Sequence, residues 1–115
     1  MDFGFRHRAI HPHHHMFVAN QVHAGLTGAI IIKDALDEQP NFAESAEKIL
    51  MFSDPRIGSN ASVLDTSMMD QMHGRTGNYV LINGQLNPTI TQSPTKPERW
   101  RLINSSPSRY LNLTF

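Results

Sequence analysis

The hydrophobic positions of this chain fall in short runs separated by polar, Gly- and Pro-bearing stretches, and no helical period is sustained beyond a turn or two. Residues 29–32 read Ala-Ile-Ile-Ile between Gly28 and Lys33-Asp34, the pattern of a strand buried on both faces. A second run, residues 48–52, is closed by Ser53-Asp54-Pro55, where proline disfavours a continuing ladder. Residues 79–82 lead into Asn83-Gly84, a dipeptide that tolerates positive φ at both turn centres. A tight hairpin is therefore predicted there, with residues 85–90 as the return strand. Residues 99–104 and 110–115 predict two more strands, the last placing Leu111, Leu113 and Phe115 on one face by period-2 alternation.

The intervening stretches are weaker in pattern. Residues 16–26 support at most a short helical turn, because Gly25 and Gly28 interrupt any longer period. Residues 34–45 shift to Asp, Glu, Gln, Pro and Asn, a composition that cannot bury enough apolar surface to order itself and suits a linker. Residues 56–77 read as a long loop in which only 67–72 can form a turn of helix. Short strands with turns between them predict an all-β sandwich.

A length of 115 residues allows one domain or pieces of two. Ten basic residues balance ten acidic ones, so nothing builds the basic field that holds nucleic acid or an anionic membrane. Cysteine is absent, which removes disulfides, thiolate metal sites and thiol nucleophiles. No apolar run approaches the roughly 20 residues of a membrane span. The first ten residues carry charges and no apolar core of a signal peptide.

Histidine changes the picture. Four of the seven lie in His11-Pro12-His13-His14-His15. Pro12 locks its own φ and biases His11 toward an extended backbone, so His11, His13 and His15 are expected on one face and His14 on the other. Imidazole suits copper, zinc, iron or nickel, and two His at i, i+2 can grip one ion or reach two adjacent ones. The same residues, taken alone, also describe a solvated patch that binds metal adventitiously.

The histidine run, followed by Ala24-Gly25-Leu26-Thr27-Gly28-Ala29-Ile30-Ile31-Ile32 and an Asp-rich stretch, resembles the end of the first cupredoxin domain of multicopper oxidases. The segment Tyr79-Val80-Leu81-Ile82-Asn83-Gly84-Gln85-Leu86-Asn87-Pro88-Thr89-Ile90, with Arg99-Trp100-Arg101-Leu102-Ile103-Asn104 after it, resembles the opening of the second. The resemblance implies cupredoxin-like Greek-key β-sandwiches, present as incomplete pieces of two domains: residues 1–36 from the first, 37–45 as linker and 46–115 from the second. It implies copper as cofactor, with His11 and His13 each ligating one ion of the type 3 pair in a trinuclear cluster. It gives no role to His14 or His15. The partners implied are copper ions, O2, a small reducing substrate such as a phenol, a pigment or a metal ion, and the remaining cupredoxin domains; the family's location is periplasmic or extracellular.

The chain departs from the family pattern in lacking an upstream His-x-His-Gly and the downstream His clusters with their Cys. Ala9-Ile10 stands where an aromatic pair is common. An internal fragment, supplying two ligands but no complete copper site and inactive alone, is the reading that follows. Two others stay open: a copper-free cupredoxin-like interaction module, and a small His-rich metal-binding protein. His23 and His73 are candidates either for ligation or for ordinary packing. Met68, Met69 and Met72 fit either a thioether copper site or the filling of an apolar gap. Arg99, Arg101 and Arg109, beside Trp100 and Tyr110, are expected to cover a sheet edge rather than to bind nucleotides.

Overall fold

The computed structural model describes residues 7–114. Nine elements follow in the order β1 (His7–Ile10), α1 (Val18–His23), β2 (Gly28–Ile31), α2 (Pro40–Ala43), β3 (Ala46–Ser53), α3 (Met68–His73), β4 (Leu81–Ile82), β5 (Gln85–Leu86) and β6 (Glu98–Asn104). The described residues are thus strands with short helices, the longest of six residues. β1 and β2 pair antiparallel, with Arg8 opposite Ile30 and Ala9 opposite Ala29. The other four strands form one sheet in the order β5-β4-β3-β6. Within it β3 runs antiparallel to β4 and parallel to β6, from Ala46 opposite Glu98 to Phe52 opposite Asn104.

Period-2 alternation explains how the long pair is buried. On β3 the buried positions are Leu50 and Phe52, and on β6 they are Arg101 and Ile103, which lie at alternate register on the opposite face. Ser105 extends the pairing beyond β6, its N–H and hydroxyl both donating to the Phe52 carbonyl. Among the described residues the buried apolar side chains are Leu50, Phe52 and Ile103, whereas seventeen large hydrophobic side chains are exposed.

The hairpin turns at Asn83-Gly84, with φ of 50° and 76°, both in the left-handed region. Its strands are only two residues long, because the Asn83 side chain does the work of a longer ladder. The Asn83 carboxamide accepts from the Met51 N–H at 2.9 Å and donates to the Ile49 carbonyl at 2.9 Å. Beyond β5, Asn87 takes φ of 49° and Pro88 lacks a donor, so the return strand stops at Leu86 instead of reaching residue 90. Asn83→Ala removes both hydrogen bonds and places alanine in the left-handed region. It should therefore destabilise the chain by about 2 kcal/mol in urea unfolding. A cost below about 0.5 kcal/mol would show that the carboxamide is only a surface ornament.

Three further expectations are corrected. Residues 29–31 do form a strand, but Ala29 and Ile30 are exposed rather than buried on both faces, since β2 belongs to a two-stranded sheet. Residues 110–114 form no strand and Tyr110 is almost wholly exposed; Phe115 lies outside the described residues. Alternation marks a face, but a strand needs a partner, and Asn104 turns the chain away by accepting from the Ser106 N–H and donating to the Arg109 carbonyl. Residues 34–45 are ordered, and by charge rather than by apolar burial. The Asp37 carboxylate accepts from Arg99 and, at 2.7 Å, from Arg101, while Glu47 holds Arg101 at 2.8 Å and Arg99 stands over the Phe42 ring. The Asp34 backbone N–H and these two guanidiniums hold the Asp37 carboxyl down at about 2.

Candidate metal centre

His11 follows β1 directly, and residues 11–14 continue without regular structure before the chain turns. The turn is closed by the Phe17 N–H donating to the His14 carbonyl at 3.0 Å, with Met16 at φ of 67°. That turn ends the extended run, so the expected alternation holds for His11 and His13 but does not extend to His15. The two rings stack with centroids 5.8 Å apart and planes 29° from parallel. His14 instead meets the Phe17 ring edge-on. All four histidines of the run are exposed.

The tautomer of His11 follows from its surroundings. Its Nδ1 lies 2.9 Å from the Pro12 carbonyl oxygen. A carbonyl only accepts, so Nδ1 carries the proton, and in the neutral ring Nε2 keeps a lone pair able to accept a proton or a metal ion. Such an acceptor fixes ring orientation and raises ligand basicity. Rings whose centroids lie 5.8 Å apart can serve either one shared ion or two adjacent ones. Among the described residues no group of three or more His, Cys, Asp or Glu side chains gathers to hold a metal.

The other sequence candidates fall outside this pair. His73 is exposed at the end of α3. Met68, Met69 and Met72 are exposed on the same helix and fill no gap among the described residues. Arg99 and Arg101 serve the Asp37 and Glu47 carboxylates, and Arg109 holds Asp54 at 2.9 Å, so all three are structural, as expected.

Among the described residues His23 is the buried histidine, and its setting is not visible from the sequence. It closes α1, is buried, and its Nε2 accepts the Arg56 N–H at 2.9 Å. Around it lie buried Asp54 and Arg75, and an ion pair in which the Arg56 guanidinium grips both oxygens of Asp70 at 2.7 and 2.8 Å. Ser67 caps α3 by accepting the Asp70 N–H and donating to its carboxylate. The Ser67-Met68-Met69-Asp70 spacing is the sequence signal for that cap. Nothing local announces that loop residue Arg56 reaches both Asp70 and α1.

No family model matches the chain. Curated relatives do. The multicopper oxidases mco of Staphylococcus haemolyticus and Staphylococcus epidermidis are each 32% identical over 105 residues, and that of Staphylococcus aureus is 33% identical over 107. Each match covers 90% of this chain but 23% of the relative, so the chain spans about a quarter of their length. A variant of the McoA multicopper oxidase from the hyperthermophile Aquifex aeolicus superposes with a TM-score of 0.76 at 28% identity, again over 90% of this chain and 23% of that one. In sequence and in three dimensions alike, the chain matches a segment of the multicopper oxidase family.

Proposed function

We propose that this chain is the part of a copper-dependent oxidoreductase that runs from the end of the first cupredoxin domain (residues 1–36) through a linker (37–45) into the start of the second (46–115). In this reading His11 and His13 each ligate one ion of a type 3 copper pair. The observation that carries it is the stacked, exposed imidazole pair, its His11 Nε2 lone pair set free by the Pro12 carbonyl, in a chain matched over 90% of its length by multicopper oxidases. Bound copper would supply the redox chemistry of the site: oxidation of a small reducing substrate (a phenol, a pigment or a metal ion) coupled to reduction of O2 to water, four electrons coming from substrate and four protons from solvent for each O2. This chain's own residues do something simpler. His11 keeps its proton on Nδ1 and presents a neutral nitrogen, His13 stands beside it, and the turn at residues 14–17 joins both to α1. Missing ligands come from the remaining cupredoxin domains, in a protein working in the periplasm or outside the cell.

The test is to graft these 115 residues in place of the matching segment of a staphylococcal mco and to measure copper content and O2 consumption. The expected chimera loads copper and consumes O2 at a rate within about tenfold of the parent. A folded chimera with an intact blue type 1 copper but no O2 consumption would overturn the proposal. Titrated alone with Cu(II), the chain should bind weakly and without type 3 absorbance. Tight stoichiometric binding would instead make it a metal-binding protein in its own right.

A further inference from the structure

Two ties fasten α1 to the second half of the chain. The Thr66 hydroxyl donates to the Asn20 side-chain oxygen, and the Arg56 backbone N–H donates to His23 Nε2. The second depends on protonation. Because Nε2 accepts, the ring proton sits on Nδ1, which is buried and has no hydrogen-bond partner among the described residues. Protonating the ring would turn Nε2 from acceptor to donor. Two N–H groups would then face one another at 2.9 Å in a site where His23 is 4% exposed. We propose that His23 is a proton-operated latch, closed while the imidazole is neutral and opened by its protonation, which breaks the tie between the end of α1 and Arg56 and leaves α1 held to that loop by the Thr66–Asn20 hydrogen bond.

The groups facing the ring come from several elements. Burial is the main influence against the charged form, and Arg75, from the loop after α3, and Arg56 add to it. Asp54, just after β3, and Asp70, on α3, act the other way. Asp70 is engaged through both oxygens by Arg56 and Ser67, whereas Asp54 is held by Arg109 and the Gly77 N–H through Oδ2 alone, its buried Oδ1 having no hydrogen-bond partner among the described residues. The balance lowers the His23 pKa from 6.5. The unfolded or unlatched chain therefore binds the proton more readily than the latched one. Latching is fully favoured above pH 6.5 and is lost as pH falls through the lower folded value. The device does not depend on copper, and it stands whether or not His11 and His13 are ligands.

The test is amide hydrogen exchange by NMR on the 115-residue chain between pH 7.5 and 4.5, with rates corrected for intrinsic pH dependence. The Arg56 amide should lose protection by up to about tenfold per pH unit as the pH falls from 6.5 toward the lower folded His23 pKa, and level off below it, while the β3 and β6 amides change little. His23→Gln offers an oxygen near the Nε2 position and cannot titrate, so its Arg56 amide should be independent of pH. Constant Arg56 protection in the unmodified chain, or the same loss in the His23→Gln chain, would overturn the latch. If His23→Gln does not fold, the ring signals of the unmodified chain decide. A His23 midpoint below 6.5 with the Nδ1–H tautomer supports the latch, and a midpoint at or above 6.5 refutes it.

Discussion

Replacing Gly77 with alanine should cost this chain about 4 kcal/mol or more, the largest stability loss expected from any single methyl group added to it. A Cβ at Gly77 would fall on the Asp54 carbonyl carbon and oxygen and on the Pro55 carbonyl oxygen, far inside the 3.0 Å that real Cβ atoms essentially never breach. These are backbone atoms, so no rotamer change relieves the clash. The same approach is fastened on both sides. The Gly77 N–H donates to Asp54 Oδ2 at 3.1 Å, and its carbonyl accepts from Arg109 at 2.8 Å. Moving Gly77 away would strip hydrogen bonds from Asp54, which is fully buried and depends on Arg109 for its counter-charge. Gly25→Ala is the control, because an added Cβ there meets nothing within 4 Å and suffers only the strain of φ +96°. That strain costs about 1–2 kcal/mol. Urea midpoints for the two variants should differ clearly. Equal midpoints would mean that the loop around Gly77 yields and that the Asp54 contact is not a fixed part of the fold.

The second large effect concerns activity. In the grafted oxidase, His11→Ala or His13→Ala should cut O2 consumption by more than about a hundredfold, since loss of a direct ligand exceeds the 10–100-fold typical of groups that merely orient ligands. The blue type 1 absorbance should persist, because that copper takes its ligands outside this segment. His14→Ala and His15→Ala supply the contrast. His14 turns away onto Phe17, and neither residue belongs to the stacked pair, so both variants should keep activity within a few-fold of the graft. Full O2 reduction by the His11 or His13 variant would remove those residues from the copper site, as would equal losses across all four positions.

What could be read from the sequence shares one property: it is fixed within a few residues. Asn83-Gly84 makes a hairpin turn because only such residues enter the left-handed region twice in succession at little cost. The strand runs in residues 48–52 and 99–104 are visible because β-branched and apolar side chains suit a pleated, half-buried surface. His11 and His13 lie on one side because proline stiffens the single residue between them. The multicopper oxidase resemblance rests on the same kind of local string.

What the sequence left open depends on partners far along the chain. β1 was not foreseen, because the polar-apolar mixture around it becomes a strand only when Gly28–Ile31 lies alongside. Residues 110–115 carry the clearest alternation, yet 110–114 pair with no other strand. The parallel pairing of β3 with β6 joins segments about fifty residues apart in sequence, a register that no local pattern encodes. The same holds for charge. Asp37 looks like one acid in a polar linker until Arg99 and Arg101 arrive from β6, and His23 looks like any helical histidine until Arg56 donates to it and the fold removes its water. By itself the sequence determined the turn at Asn83-Gly84, the extended runs at residues 48–52 and 99–104 and the facing of His11 with His13, because φ preference and side-chain shape act over neighbouring residues. Only the tertiary structure decided which strands pair, which charges are neutralised and which histidine is buried, because those depend on groups distant in the chain being brought out of water together.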